Sequence, residues 1–143
     1  MYKIGLRSGS PVSAGQMIQL PGGANQLVVG TIACCIDGMV TNLDNNQCPD
    51  VLIGQAGDLD EYGYAGWATC MLLTSDMILE APISGTDLQI KSVHAGKLIG
   101  FSRYGVSASS SSEYCQVVDT LGAKTAGDPV LVRFINNHQK GVI

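Results

Sequence analysis

Glycine recurs along the chain and, together with Pro, Asn, Asp and Ser, bounds a series of short apolar runs. The sequence contains 18 glycines. The runs are mostly about four to eight residues long, rich in β-branched residues and bounded by Gly, Pro, Asn, Asp or Ser, which is typical of strands joined by turns. These runs are GQMIQL, QLVVGTIACCI, PDVLIGQ, ATCMLL, DMILEA, DLQIKSV, KLIGFSRY, EYCQVV and DPVLVRFI. The pattern predicts an all-β fold, a small β-barrel or β-sandwich with Gly-, Ser- and Asn-rich turns and at most one short helix.

Helical periodicity is weak throughout. In AGWATCMLLTSDM, Trp67, Met71 and Leu72 would share one helical face, which makes this stretch the best helix candidate. Its Thr and Cys content favours a strand equally well. The segment DLQIKSV alternates, with Leu88 and Ile90 pointing to one side, and this period of two predicts a strand.

Four segments have the composition of turns. The Asp-Gly pair at 37–38 lies between apolar runs and predicts a tight hairpin, and the DNN tip at 44–46 tolerates left-handed geometry. LPGG at 20–23 is expected to turn, and SGTD at 84–87 is expected to join two hairpin strands. The serine run between KLIGF and YCQVV, Ser109 to Ser112, predicts an exposed loop between strands rather than a linker between domains.

The composition is apolar for a chain of 143 residues. Hydrophobic residues make up 45% and charged residues only 14%. This material suffices for a core and predicts one β-rich domain over residues 1–143, with residues 1–14 as a candidate N-terminal arm. Because so little charge is available to cover a small domain, part of the apolar surface is expected to contact a partner.

The charge distribution argues against nucleic-acid and membrane partners. The net charge is −4, and the eight Lys and Arg residues are scattered. Nucleic-acid binding requires a concentrated positive surface, and attraction to an anionic membrane has the same requirement. No apolar run approaches the roughly 20 residues that span a bilayer. The N-terminal stretch has no apolar segment of the kind found in secretion signals, so we expect synthesis and folding in the cytoplasm.

The five cysteines have no regular spacing. They are Cys34, Cys35, Cys48, Cys70 and Cys115. An odd number without a spacing pattern, in a chain with no expected secretion signal, predicts buried free thiols in a reducing compartment. The first three lack the C-x-x-C spacing of zinc ligands.

The densest group of charges is acidic and lies among aromatic residues, in GDLDEYGYAGW. Asp58, Asp60 and Gly63 fit positions one, three and six of a calcium loop, but Tyr62 and Thr69 stand where two ligands are required, so no calcium site is expected. Aromatic side chains are frequent anchors of protein interfaces. The predicted interface residues are Tyr2, Tyr62, Tyr64 and Trp67.

Catalytic signatures are absent from the sequence. There is no G-x-S-x-G elbow, no P-loop and no dinucleotide-binding glycine pattern. His94 and His138 have no Cys or His at ligand spacing. A pairing of Cys70 or Cys115 with His94 in space stays open, since a nucleophile and its base need not be close in sequence. We predict no enzyme activity, no catalytic or metal-binding residues and no cofactor.

The second half of the chain, from Trp67 onward, resembles the small capsid decoration, or cement, proteins of phages. Ile99-Gly100-Phe101-Ser102 is similar to their I-G-(V/F)-(A/S) strand, Ser107 to Ser112 to their small-residue loop, and Tyr114 to Val118 to their closing strand. The segment Ala126 to Phe134, AGDPVLVRF, is similar to their G-D-x-V segment. No segment of Met1 to Val51 is matched.

The resemblance implies a compact, often trimeric β-fold that binds the outer surface of a phage head and clamps neighbouring major capsid subunits. The expected partners are the major capsid protein and further copies of this chain, with a trimer favoured, and the expected location is the outer capsid surface of the virion. Two alternatives stay open. One is another virion component, such as a tail-tube, head-completion or fibre-base protein. The other is a small trimeric β-barrel enzyme with a site between subunits, for which Asp58, Asp60 and His94 are the candidates.

Overall fold

The computed structural model describes residues 4–8, 18–23, 26–43, 49–63, 65–109 and 114–135. Within these ranges the fold is all-β with one short helix, as predicted. The strands are β1 (Gly5–Ser8), β2 (Ile18–Pro21), β3 (Ile32–Ile36), β4 (Met39–Asn42), β5 (Val51–Ala56), β6 (Trp67–Leu72), β7 (Ile78–Ser84), β8 (Leu98–Ser102), β9 (Gly105–Ser107), β10 (Cys115–Asp119) and β11 (Pro129–Phe134). The helix α1 (Asp87–Lys91) lies between β7 and β8.

Five strands of the second half form a closed barrel in the order β7-β11-β10-β8-β9. The barrel closes where the end of β7 pairs in parallel with β9, at Ile83↔Val106 and Ser84↔Ser107. β1 pairs antiparallel with the beginning of β7, on the same edge of β7 that pairs with β9 at its end. Burial alternates along β7, so Leu79, Ala81 and Ile83 point into the barrel.

The remaining strands form an antiparallel sheet in the order β2-β6-β5-β3-β4. This sheet curls, because Gly22, just after β2, forms a parallel bridge with Val40 of the far strand β4. The Gly23 N–H donates to the Val40 carbonyl oxygen at 2.8 Å. A side chain at Gly22 would place its Cβ 1.8 Å from the Ala65 carbonyl oxygen, so this approach requires glycine.

Two apolar clusters form the core, and β3 contributes to both. Ile32 and Cys34 join the main cluster, which also fills the barrel, while Ala33 and Cys35 join the second cluster within the curled sheet. The β8–β9 turn fastens the barrel to this sheet, since the Arg103 carbonyl accepts from the Ile32 N–H at 2.9 Å. A strand buried on both faces reads as a continuous apolar run, as IACCI does.

The helix lies in a stretch whose alternation predicts a strand, so that prediction is wrong for DLQIKSV. Thr86 and Gln89 form a capping box, in which the Thr86 side chain accepts from the Gln89 N–H and the Gln89 side chain accepts from the Thr86 N–H. This reciprocal pairing satisfies two backbone donors and initiates the helix. The SGTD segment is therefore the end of β7 followed by a helix cap rather than a hairpin connection.

The predicted helix candidate AGWATCMLLTSDM contains β6 instead, paired on both sides with β2 and β5. The two hydrogen-bonded neighbours outweigh the weak helical spacing of its apolar residues. LPGG is also not a turn, because Leu20 and Pro21 are paired with β6. The Asp-Gly hairpin is confirmed between β3 and β4, with Asp37 and Gly38 both at positive φ.

The serine run follows a strand that sequence patterning missed. The short strand β9 lies between KLIGF and the serines, so the run connects β9 to β10. Ser109 is exposed in the turn after β9. Ser110 to Ser112 and the DNN tip at 44–46 lie outside the described residues, and the single-domain assignment with its candidate arm at 1–14 stays a prediction.

Candidate functional site

The predicted contact surface lies in the connection between β5 and β6, which we call the acidic loop (residues 57–63). Its base is a narrow hairpin. The Gly57 N–H donates to the Trp67 carbonyl at 3.0 Å, and Leu59 forms an antiparallel bridge with Ala65. The carboxylates of Asp58, Asp60 and Glu61 therefore lie on an exposed tip held by strand-like pairing.

Asp60 organises this tip by bonding to its own backbone. Its carboxylate accepts from the Tyr62 N–H at 2.9 Å, and its carbonyl accepts from the Gly63 N–H at 3.1 Å. Gly63 has φ +83°, a left-handed conformation that suits glycine. This is an Asx turn, which accounts for the aspartate at position 60. Thr69, at the twelfth position of the calcium pattern, is a paired residue of β6.

The predicted interface residues differ in exposure. Tyr62 is 76% exposed at the tip, as expected of a contact residue. Trp67 is half-buried, since its indole lies over Gly57, where a Cβ would be 2.6 Å from Nε1. Tyr2 and Tyr64 lie outside the described residues. Leu59, 46% exposed beside Tyr62, is a surface residue that the aromatic criterion overlooked.

The candidate catalytic residues belong to different elements. Asp58 and Asp60 are in the acidic loop of the curled sheet, whereas His94 is exposed between α1 and β8, with Nδ1 3.0 Å from the Ala95 carbonyl oxygen. Among the described residues, no three His, Cys, Asp or Glu side chains are grouped as metal ligands. His138 lies outside the described residues.

The described cysteines, Cys34, Cys35, Cys70 and Cys115, are buried and form no disulfide, as predicted. Cys48 lies outside the described residues. Burial raises the pKa of Cys70 to about 11 and of Cys115 still further. The Cys115 thiol donates to the Ile99 carbonyl oxygen at 3.3 Å inside the barrel, whereas His94 is exposed. A thiol with a raised pKa is a poor nucleophile at neutral pH.

A buried carboxylate lies beside Cys35. Asp50 is fully buried, and its Oδ2 accepts from the Cys35 N–H at 2.8 Å. Its own N–H donates to the Ala33 carbonyl at 2.9 Å. Burial, and after it the Asp50 carboxylate, raise the pKa of Cys35 to about 12. Asp50 thus makes two hydrogen bonds to β3, one through its N–H and one through its carboxylate. These bonds continue the pairing of β3 with β5 beyond the last pair of strand residues, so its role is structural.

A cleft of about 190 Å³ lies beside the barrel seam and is lined by Pro82, Ile83, Ser84, Ser102, Tyr104, Gly105, Ala126 and Gly127. Its two serine hydroxyls are bonded within the protein. The Ser84 hydroxyl donates to the Val106 carbonyl, and the Ser102 hydroxyl donates to the Gly105 carbonyl, both at 3.1 Å. The cleft therefore presents an apolar lining without a charged group.

Within the described ranges, no helix is long and apolar enough to cross a membrane. Comparison of the chain with protein-family profiles, with curated proteins and with solved structures gives no match. Among the surfaces described here, the acidic loop best combines exposure, an aromatic side chain and a defined conformation.

Proposed function

We propose that this protein is a capsid decoration protein, which binds the outer surface of a phage head and stabilises contacts between major capsid subunits. The observation that carries the proposal is the order of elements in the second half of the chain. The segments matched to named elements of those proteins are β8, the connection from β9 to β10, and β10 and β11, and all of these strands belong to one closed barrel. The strand that opens the resembling stretch, β6, belongs instead to the curled sheet, so the proposal rests on the barrel segments.

The acidic loop supports this proposal as a contact surface. Asp58, Asp60 and Glu61 place three carboxylates beside the exposed Tyr62 and Leu59. An apolar centre with charge around it is the usual arrangement of a protein interface, in which the apolar groups supply affinity and the charges supply specificity. The complementary site on a major capsid protein would be an apolar depression with basic residues at its rim.

Rebinding to phage heads that lack the protein tests the proposal directly. Purified protein is added to such heads, unbound protein is removed by sedimentation, and the thermal rupture of the heads is followed by release of DNA. We expect saturable binding and a higher rupture temperature. Binding that stays undetectable, together with an unchanged rupture temperature, would refute the proposal.

A pair of variants tests the contact surface. Tyr62→Ser removes the exposed aromatic side chain of the acidic loop and is expected to weaken binding to heads by about tenfold or more, as truncation of an interface anchor does. Tyr104→Ser is the matched control, since Tyr104 is also an exposed tyrosine in a turn but lies between β8 and β9. Equal binding by both variants would exclude the acidic loop as the capsid contact.

A further inference from the structure

One end of the barrel is covered by α1 and by two turns, and we call it the capping end (residues 84–98, 108–109 and 119–128). Ile90 of α1 and Val93 are buried in the main cluster, and Ala108 and Ala123 pack against the same cluster. The connection from α1 to β8 is bonded to β10, since the Gly96 N–H donates to the Val117 carbonyl at 2.7 Å. The inner side of this end is therefore fully used in packing.

The outer side of the capping end carries exposed leucines. Leu88 of α1 is 80% exposed, Leu121 is 43% exposed, and Leu98, the first residue of β8, is 39% exposed. Leu88 is two residues from the buried Ile90, which places it on the opposite side of the helix. None of the three contributes to either apolar cluster of the described residues.

Leu121 is unusual in its backbone as well. It has φ +52°, a left-handed conformation that is uncommon for residues other than Gly, Asn and Asp. Asn would occupy this turn position with less strain, and its side chain would be hydrated. The fold itself thus gives no reason for an exposed leucine at this position.

The charges of the capping end differ from those of the acidic loop. The acidic loop has three carboxylates and no basic residue, so two copies would repel each other there. The capping end is balanced, with three acidic and three basic residues. These are Asp87, Asp119 and Asp128, and Lys91, Lys97 and Lys124. A surface that carries both signs equally can face another copy of itself without net repulsion.

We propose that the capping end is the surface through which copies of this chain associate, with Leu88 and Leu121 as its apolar anchors. The inference deepens the proposed function, on which it rests, by separating two surfaces. The neutral capping end binds further copies of the chain, and the acidic loop is left free for a basic partner. Closed rings of identical chains arise when such a surface meets a neighbouring copy by rotation.

Size-exclusion chromatography with light scattering over a dilution series tests the proposal. The double variant Leu88→Gln/Leu121→Asn replaces the anchors with residues that suit a helix and a left-handed turn, respectively. We expect the wild-type protein to have the mass of an oligomer. The double variant should dissociate at a concentration about tenfold or more above that at which the wild-type protein dissociates. The control Leu59→Gln, at an exposed leucine of the acidic loop, is expected to keep the wild-type mass.

The proposal is overturned if the wild-type protein is monomeric over the whole series or if the double variant keeps the wild-type mass. Circular dichroism checks that the variant is folded, and the single variant Leu88→Gln decides the question if the double variant is not. The head-binding assay is independent of this result. If the double variant dissociates as expected but the wild-type protein does not bind heads, only the proposed function is refuted. If the wild-type protein binds heads but the double variant keeps the wild-type mass, only this inference is refuted.

Discussion

Replacement of Asp50 gives the sharpest test of how the curled sheet is held together. Asp50→Ala removes the acceptor of the Cys35 N–H, and Cys35 is itself buried. Hydrogen bonds to charged groups contribute about 1.5–3 kcal/mol, and a buried donor left without an acceptor costs about 1–3 kcal/mol. Because these two figures describe the same loss, we expect the free energy of unfolding to fall by about 2–3 kcal/mol.

Urea unfolding followed by circular dichroism measures this change. The matched variant Asp50→Asn keeps an oxygen acceptor of the same length, so a smaller loss is expected than for Asp50→Ala. The slope of the free energy with urea should be the same for both variants if only the native state is affected. If Asp50→Ala unfolds at the wild-type urea concentration, the Cys35 N–H has another partner and the assigned role of Asp50 is wrong.

Three further predictions concern backbone packing, thiol reactivity and pH. Gly105→Ala is expected to destabilise the barrel by more than about 2 kcal/mol, because its Cβ would lie 2.2 Å from a carbonyl oxygen of β7. Gly66→Ala, whose Cβ meets nothing within 4 Å, is the control. Equal urea midpoints for the two variants would contradict the reasoning. Cys35 and Cys70, with pKa values raised to about 12 and about 11, should resist iodoacetamide in the native protein and react with it in urea. Peptide mass spectrometry measures the labelling, and rapid labelling of either cysteine under native conditions would contradict their burial. Backbone N–H donors lower the pKa of Asp128 from its ordinary 3.8, so its contribution to stability is present above that value and is lost as the pH falls through the lower folded pKa. The stability difference between wild type and Asp128→Asn should therefore shrink in acid, and a difference that is constant with pH would argue against the turn seen here.

The strands of ordinary length could be predicted from the sequence because each combines β-branched residues with turn residues at both ends. The three strands that patterning missed, β1, β4 and β9, have only three or four residues, too few to show alternation. Which of the two predicted architectures forms, the barrel or the sandwich, could not be decided from the sequence. It depends on which edges pair, and the seam of β7 with β9 leaves no mark in either sequence.

The helix was missed although its signal was present. Leu88 and Ile90 are apolar and two positions apart, which is the spacing of a strand with one apolar face. In the structure Leu88 is exposed and Ile90 is buried. The informative feature was the Thr86-x-x-Gln89 spacing of a capping box, which begins a helix irrespective of the alternation that follows. Local hydrogen bonding thus decided the conformation where periodicity was ambiguous.

The candidate site was predictable only in part. Tyr62 directly follows the acidic run Asp58 to Glu61, and it is exposed in the structure. Trp67, at the other end of the same aromatic-rich segment, is half-buried, because Gly57 lies opposite it across the hairpin and leaves room for the indole. The exposed leucines of the capping end could not be found at all, since exposure of a leucine follows from the packing of its neighbours.

The placement of β1 has a consequence for the order of folding. All five barrel strands come from one continuous stretch of chain, Ile78 to Phe134, whereas the whole curled sheet lies between β1 and β7 in the sequence. The Arg7–Glu80 ion pair, which joins β1 to β7, links residues 73 apart in sequence. Bringing together so distant a pair costs loop entropy that the local barrel pairings do not incur. We therefore expect the barrel to nucleate folding and β1 to pair with β7 late.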